Sequence, residues 1–286
     1  MIYEEMTENI RAICEKLLNS GEVELVVAYT GRDVDGLQVP YVAEKPEEVK
    51  YIEWGDRCWQ NIAPYLHGLG KKAAILAKPC DVRIIAQYIT EQQIKREDVV
   101  IIGVDCMGMV DMDGEPRPGC PDCDMRKPPF YDEYIRDERV DEATPQRDAS
   151  NKEADLEENL GRFQKEMDKC ILCYTCRQAC YGCYCKNCFI ERDLPDWQPA
   201  EIDTGTKMMF HMGRAMHLSG RCIECGACEA SCESGVDVRY IIKEVTNFIE
   251  DEYGYKTGMD PDEKPAMLTN KFDDREIGFL GEDNHD

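Results

Sequence analysis

Residues 170–180 read Cys170-Ile171-Leu172-Cys173-Tyr174-Thr175-Cys176-Arg177-Gln178-Ala179-Cys180, and residues 222–232 read Cys222-Ile223-Glu224-Cys225-Gly226-Ala227-Cys228-Glu229-Ala230-Ser231-Cys232. Both follow C-x2-C-x2-C-x3-C. One such run arises by chance; two in one chain are specific. Three thiolates at this spacing wrap one iron–sulfur cube, and in two-cluster ferredoxins the fourth cysteine of each run ligates the other cluster. The expected 4Fe-4S ligand sets are therefore Cys170, Cys173, Cys176 with Cys232, and Cys222, Cys225, Cys228 with Cys180. Zinc is the rival, because C-x2-C pairs also build structural zinc sites. Zinc suits two separate pairs, whereas a triplet with an offset fourth cysteine suits iron–sulfur.

Outward from these runs, the cysteine-dense segment is too polar to fold on an apolar core alone, so metal clusters would supply what the core lacks. It resembles the two-cluster ferredoxin domains of anaerobic oxidoreductases, such as the iron–sulfur subunits of heterodisulfide reductase and glycerol-phosphate dehydrogenase, notably from Gly220 to Cys232. The proline usual after the fourth cysteine is Tyr181 in one run and Glu233 in the other. That proline shapes the turn and binds no iron, so the expected ligands stand. Between the runs, Thr206 to Leu218 predicts a helix whose Met209, Met212 and Met216 would pack against the clusters as core. His211 and His217 are expected to pack or hydrogen-bond, since the cysteine sets are complete without them. Cys183, Cys185 and Cys188 crowd three further thiols into six positions and mark a possible fourth metal site. They would hold a fourth cluster with a distant ligand such as Cys58, bind zinc, or replace an assigned ligand; spacing leaves the three open.

The first half alternates like an α/β layer. Helices are expected at 4–19, 58–66 and 82–90 and strands at 23–29, 73–77 and 99–104, an order that favours parallel pairing. Cys80 (in Lys78-Pro79-Cys80-Asp81) and Cys106 (in Asp105-Cys106-Met107-Gly108) each follow a predicted strand, so parallel strands bring both to one carboxyl edge. Cys120 and Cys123, in Gly119-Cys120-Pro121-Asp122-Cys123, lie in a loop long enough to fold back over that edge. Unrelated buried thiols are the bland alternative for these four, and Cys14 on the first helix reads as core. Over about residues 10 to 135 this pattern resembles the beta subunit of deazaflavin (coenzyme F420) hydrogenases and formate dehydrogenases. The resemblance implies that Cys80, Cys106, Cys120 and Cys123 hold a third 4Fe-4S cluster beside FAD. The family's Gly-rich segment before the first strand is not evident, Asn19-Ser20-Gly21 having one glycine, so the expectation is a chain that kept the cluster and lost FAD and deazaflavin.

The expected layout is an α/β domain with a mainly parallel sheet at 1–135, a charged linker at 136–162, a mostly α-helical dicluster ferredoxin domain at 163–250 and an acidic tail at 251–286. Phe272, Ile277, Phe279 and Leu280 make the tail either a docking arm or a frayed end. The 58 acidic and 34 basic side chains give a formal charge of −24, which opposes nucleic acid and anionic lipid. The acidic N-terminus lacks a signal peptide's basic and apolar regions, and the 17 cysteines then belong in a reducing cytoplasm. No apolar stretch is long enough for a membrane helix. There is no Ser/His/Asp arrangement, no H-E-x-x-H, no P-loop and no Rossmann fingerprint. Thiolate-only clusters move single electrons and offer no substrate site. The sequence thus points to a non-catalytic electron-transfer subunit of an anaerobic complex, between a flavin-bearing heterodisulfide-reductase-like subunit and a hydrogenase, formate dehydrogenase or other reductase module. The alternatives are a deazaflavin- or FAD-dependent beta subunit and a zinc-stapled scaffold.

Overall fold

The computed structural model describes residues 2–32, 36–142, 156–191 and 202–266. In the first half, α1 (Ile2–Ser20) precedes β1 (Leu25–Arg32), β2 (Gln38–Ala43), β3 (Ala73–Ala77), α2 (Pro79–Thr90), β4 (Val99–Val104) and β5 (Glu133–Ile135). The five strands form one sheet in the order β2-β1-β3-β4-β5. β1, β3, β4 and β5 run parallel, and β2 joins the edge antiparallel to β1. The expected mainly parallel α/β sheet is present. Every residue of β3 and β4 is buried, as suits central strands covered on both faces. Helix α1 buries Met6, Ile10, Cys14 and Leu17, which recur along one helical face.

The segment 58–66 is not the expected helix. It is a loop ending in one 3-10 turn, Ala63–Leu66. Pro64 disfavours a helical residue before it, and the Asp81 carboxylate takes the Ile62 and Ala63 N–H groups at 2.8 and 3.1 Å, so the backbone bonds to a side chain instead. Two strands went unpredicted. β2 carries Pro40, which only an edge strand tolerates, and β5 has three residues inside a charged stretch.

The second half holds α3 (Leu156–Lys169), α4 (Thr175–Gln178), α5 (Thr204–His217), α6 (Ala227–Ala230) and α7 (Val238–Tyr253). Asp203 caps α5 by accepting from the Thr206 N–H at 2.7 Å, and Asp237 caps α7 by accepting from the Tyr240 N–H at 3.0 Å. The core here is small: Met167, Leu172, Phe210, Leu218, Val238 and Ile242 pack around Cys170 and Cys176. Helix α5 turns Phe210, His211, Arg214 and Ala215 inward. Met209, Met212 and Met216 are exposed, contrary to expectation, because they occupy the opposite side of the same helix.

The halves are laced together by specific polar contacts. Arg83 on α2 donates to the carbonyls of Thr257 at 2.8 Å and Ile223 at 3.2 Å, and Tyr88 donates to the Tyr181 carbonyl at 3.1 Å. Glu91 receives both Arg221 and the Tyr184 hydroxyl. Arg239 pairs with Asp122 at 2.8 Å, and Lys256 with Asp124 at 2.5 Å. Residues 143–155 of the predicted linker and Phe272, Ile277, Phe279 and Leu280 of the tail lie outside the described residues.

Candidate metal centres

The two cysteine runs share a backbone. Leu172 and Tyr174 in the first, and Glu224 and Gly226 in the second, all have φ between 52° and 73°. These are the second and fourth positions after the leading cysteine of each run. Left-handed residues there curl each loop inward, and α4 and α6 begin at the matching next positions. The repeat visible in the cysteine spacing is therefore also a repeat of conformation.

Cys170, Cys173, Cys176 and Cys232 line one small cavity, closed by Phe210, His211 and Val236. The Leu172 and Val236 N–H groups reach Cys170 and Cys232 sulfur at 3.4 Å, and the Thr175 hydroxyl reaches Cys173 at 3.4 Å. His211 Nε2 stands 3.4 Å from Cys170 Sγ. Burial, aided by nearby Arg214, lowers the imidazole to about 4, so His211 is neutral near pH 7. Cys222, Cys225, Cys228 and Cys180 form a second group, each within electrostatic reach of others in the set. Burial raises the Cys222, Cys225 and Cys228 thiols. Only a nearby positive charge, as a bound metal supplies, would hold such covered groups as thiolates.

Cys80 and Cys106 emerge from the adjacent parallel ends of β3 and β4, and Cys120 and Cys123 fold over them; all four line one cavity of about 50 Å³. Cys225 of the second run also lines it. Asn61 Nδ2 donates to Cys80 Sγ at 3.1 Å, and the Gly108 and Met109 N–H groups donate to Cys106 and Cys120 sulfur at 3.4 Å. Below lies Lys78, fully buried, donating to the Cys58 and Gln60 carbonyls at 3.0 and 2.6 Å and to the Tyr29 hydroxyl, and paired with Asp81 at 3.1 Å. Cys183, Cys185 and Cys188 line a cavity of about 280 Å³ with Arg214 and His217. The Cys183 thiol is hydrogen-bonded to Cys180, which lowers the Cys180 thiol and raises its own. Cys58 is buried in the first half near Lys78 and Cys106, away from that cavity. Cys14 is core, as expected.

Among the described residues, no group of three or more His, Cys, Asp or Glu side chains is drawn together tightly enough for a single metal ion. Around one zinc, thiolates stand about 3.8 Å apart, given Zn–S bonds of about 2.3 Å. Thiolates bound to four separate irons stand wider. A second observation bears on the fit. Arg117 Nε, Arg126 Nε and Arg214 Nε and Nη1 are buried with no acceptor within hydrogen-bond distance among the described residues. Arg117 is within electrostatic reach of Cys225, Cys80, Cys120 and the Asp81 carboxylate, and Arg214 of Cys180, Cys228, Cys176 and Cys183. Unpaired buried guanidinium donors are costly, and an anionic cluster among these sulfurs would supply the acceptors. Thiol donors and the orphaned guanidinium nitrogens fit 4Fe-4S, and a shared cavity joins the cysteines of the first-domain set and of the Cys170 set.

Sequence reasoning passed over Arg117, Arg214 and Asn61, because charged or amide residues outside a metal motif read as surface. Lys78 carried a signal, sitting two residues before Cys80 just after an all-buried strand. No family model matches the chain. It is 33% identical over 102 residues to the F420-dependent formate dehydrogenase subunit beta of Methanocaldococcus jannaschii, covering 36% of this chain and 26% of that protein. It is 29% identical over 112 residues to the F420-dependent formate dehydrogenase 1 subunit beta of Methanococcus maripaludis, covering 38% and 27%. The chain thus spans about a quarter of the length of these curated relatives. Among the described residues no helix is long and apolar enough to cross a membrane.

Proposed function

We propose that the chain is an iron–sulfur electron-transfer subunit of an anaerobic multi-subunit oxidoreductase. It would relay single electrons between a flavin-containing heterodisulfide-reductase-like subunit and a hydrogenase, formate dehydrogenase or other reductase module. The observation that carries this reading is the grouping of three cysteine quartets, each beside a buried guanidinium, Arg117 or Arg214, with at least one nitrogen left without a hydrogen-bond partner among the described residues. The names of the two relatives support membership of an oxidoreductase complex.

The holding residues would be Cys170, Cys173, Cys176 and Cys232; Cys222, Cys225, Cys228 and Cys180; and Cys80, Cys106, Cys120 and Cys123. Bound there, 4Fe-4S clusters would supply one-electron transfer without a substrate site. Backbone N–H groups aimed at Cys106, Cys120, Cys170, Cys222 and Cys232 stabilise negative charge on sulfur. Arg214 does the same between the two ferredoxin sets, while neutral His211 closes the first set against water. The net charge of −24 opposes nucleic acid and anionic lipid as partners.

Anaerobic purification with iron, sulfide, zinc and flavin counted per chain tests the proposal, with low-temperature EPR after reduction. About twelve irons without flavin supports three clusters, and about sixteen adds a fourth at Cys183, Cys185 and Cys188. About eight removes the first-domain cluster. The relatives' F420-dependent chemistry favours a second reading, a flavin- or deazaflavin-dependent beta subunit, and stoichiometric flavin would establish it. Colourless, zinc-loaded protein would replace both with a stapled scaffold.

A further inference from the structure

The loop carrying Cys120 and the loop carrying Cys225 touch backbone to backbone. A Cβ on Gly226 would lie 1.8 Å from the Pro118 carbonyl oxygen, and one on Gly119 would lie 2.9 Å from the Glu224 carbonyl oxygen. Both glycines also hold positive φ, +73° and +87°. No side chain fits between the two loops of this joint, so the backbone leading to Cys120 and the backbone around Cys225 are in direct contact. Beside the joint, a second cavity of about 310 Å³ is lined by Trp59, Tyr65 and Tyr181. Arg117 and Cys225 line both this cavity and the one around Cys80, Cys106, Cys120 and Cys123.

Arg117 immediately precedes Pro118 in the joint. Its side chain is 3% exposed. One Nη2 donates to Asn61 Oδ1 at 2.8 Å, and Asn61 in turn donates to Cys80 Sγ, so the guanidinium is tied to the first-domain set through one amide. Its Nε has no acceptor among the described residues. The thiols it feels are Cys225 from one set and Cys80 and Cys120 from the other.

We infer that Arg117 is a shared counter-cation for two redox sites, the first-domain set and the Cys222, Cys225, Cys228, Cys180 set, so that it raises the reduction potential of both at once. This rests on the electron-transfer reading above. Each step concerned is the addition of one electron from an external donor to a bound cluster, with no bond made or broken. Reduction makes each site more negative, and a desolvated cation favours that state through unscreened Coulomb attraction. Arg117 is a positioning residue here, since it ligates no metal. None of Cys170, Cys173, Cys176 and Cys232 lines either cavity that Arg117 lines, so that set should be the least sensitive to it.

The test is a stepwise dithionite titration of the full anaerobic protein followed by EPR, comparing wild type with Arg117→Gln and Arg117→Lys. The first-domain signal is identified as the one lost in Cys106→Ser, and the second-set signal as the one lost in Cys228→Ser. In Arg117→Gln both signals should move to lower potential by about tenfold in the reduction constant, about 59 mV for one electron. The third signal should stay, and Arg117→Lys should restore most of the shift. Unmoved signals, or an equal shift in all three, would overturn the inference. If Arg117→Gln loses iron, wild type alone decides: the first-domain signal should broaden as the neighbouring set is reduced, and its failure to broaden overturns the shared joint. Protein without iron would overturn the electron-transfer reading together with this one. Three mutually independent signals would overturn this one alone.

Discussion

Lys78 is an ammonium group with no solvent contact, set directly under a cavity walled by thiols. Four oxygens hold it: two carbonyls, the Tyr29 hydroxyl and the Asp81 carboxylate. Burial raises the Tyr29 phenol well above its ordinary range, so Tyr29 keeps its proton and stays a neutral partner. Replacing Lys78 by methionine keeps much of the bulk but strands the Asp81 charge. Breaking a buried pair in this way costs about 3–5 kcal/mol. Urea unfolding of Lys78→Met should show that loss, and the double variant Lys78→Met/Asp81→Asn should recover part of it. A loss below about 1 kcal/mol in the single variant would mean that the pair is not what braces the cavity floor.

Helix α2 begins under the first-domain cavity and ends at the ferredoxin half, where Glu91 caps it and receives Arg221 and Tyr184. Burial alone would raise the Glu91 carboxyl, but the bonds from Arg221, Tyr184 and Gln87 outweigh it and hold the group below its usual range. A carboxyl depressed in the fold lends stability above its unfolded pKa, about 4.3, and loses it as pH falls through the folded value. Stability should therefore decline on acidification below about pH 5 more steeply in wild type than in Glu91→Gln, as thermal melts across that range would show. The elements themselves differ in how far the sequence announced them. β3 and β4 were legible because five and six consecutive buried residues leave no other reading. The turn at Ala63–Leu66 was not, because its backbone is organised by Asp81, distant in sequence and unmarked by any periodicity. The methionine face of α5 was assigned to the wrong side, since thioethers pattern like core residues while Phe210 and Arg214 took the buried positions. The cysteine quartets were legible from spacing alone, but the guanidiniums between them were not, because nothing local tells a buried arginine from an exposed one.

At the scale of the whole molecule the two halves rest on different kinds of core. The first has a continuous apolar cluster from Met6 to Ile135, which also takes in Tyr181 and Ile223 of the second half. The second has a small apolar cluster interleaved with cysteine. Removing iron anaerobically with a chelator should therefore leave the sheet folded and loosen α3 through α7, because metal binding and folding are linked where the core is thin. Hydrogen exchange would read this as protection kept in β3 and β4 and lost in α5 and α7. Uniform loss would mean that the interlocking contacts of Arg83, Arg221 and Arg239 make the chain one cooperative unit.

Cys173 and Cys185 are exposed, while Cys106, Cys170 and Cys176 are buried. Oxidants act on thiols according to access and thiolate character, and the hydroxyl and N–H of Thr175 lower the Cys173 thiol further. Damage in air thus has a set order, beginning at one rim of the ferredoxin half and reaching the sheet edge last. Timed peroxide exposure of the anaerobically purified protein followed by peptide mass spectrometry should find sulfenic and sulfinic products first at Cys173, which makes that residue the shelf-life gauge of any preparation.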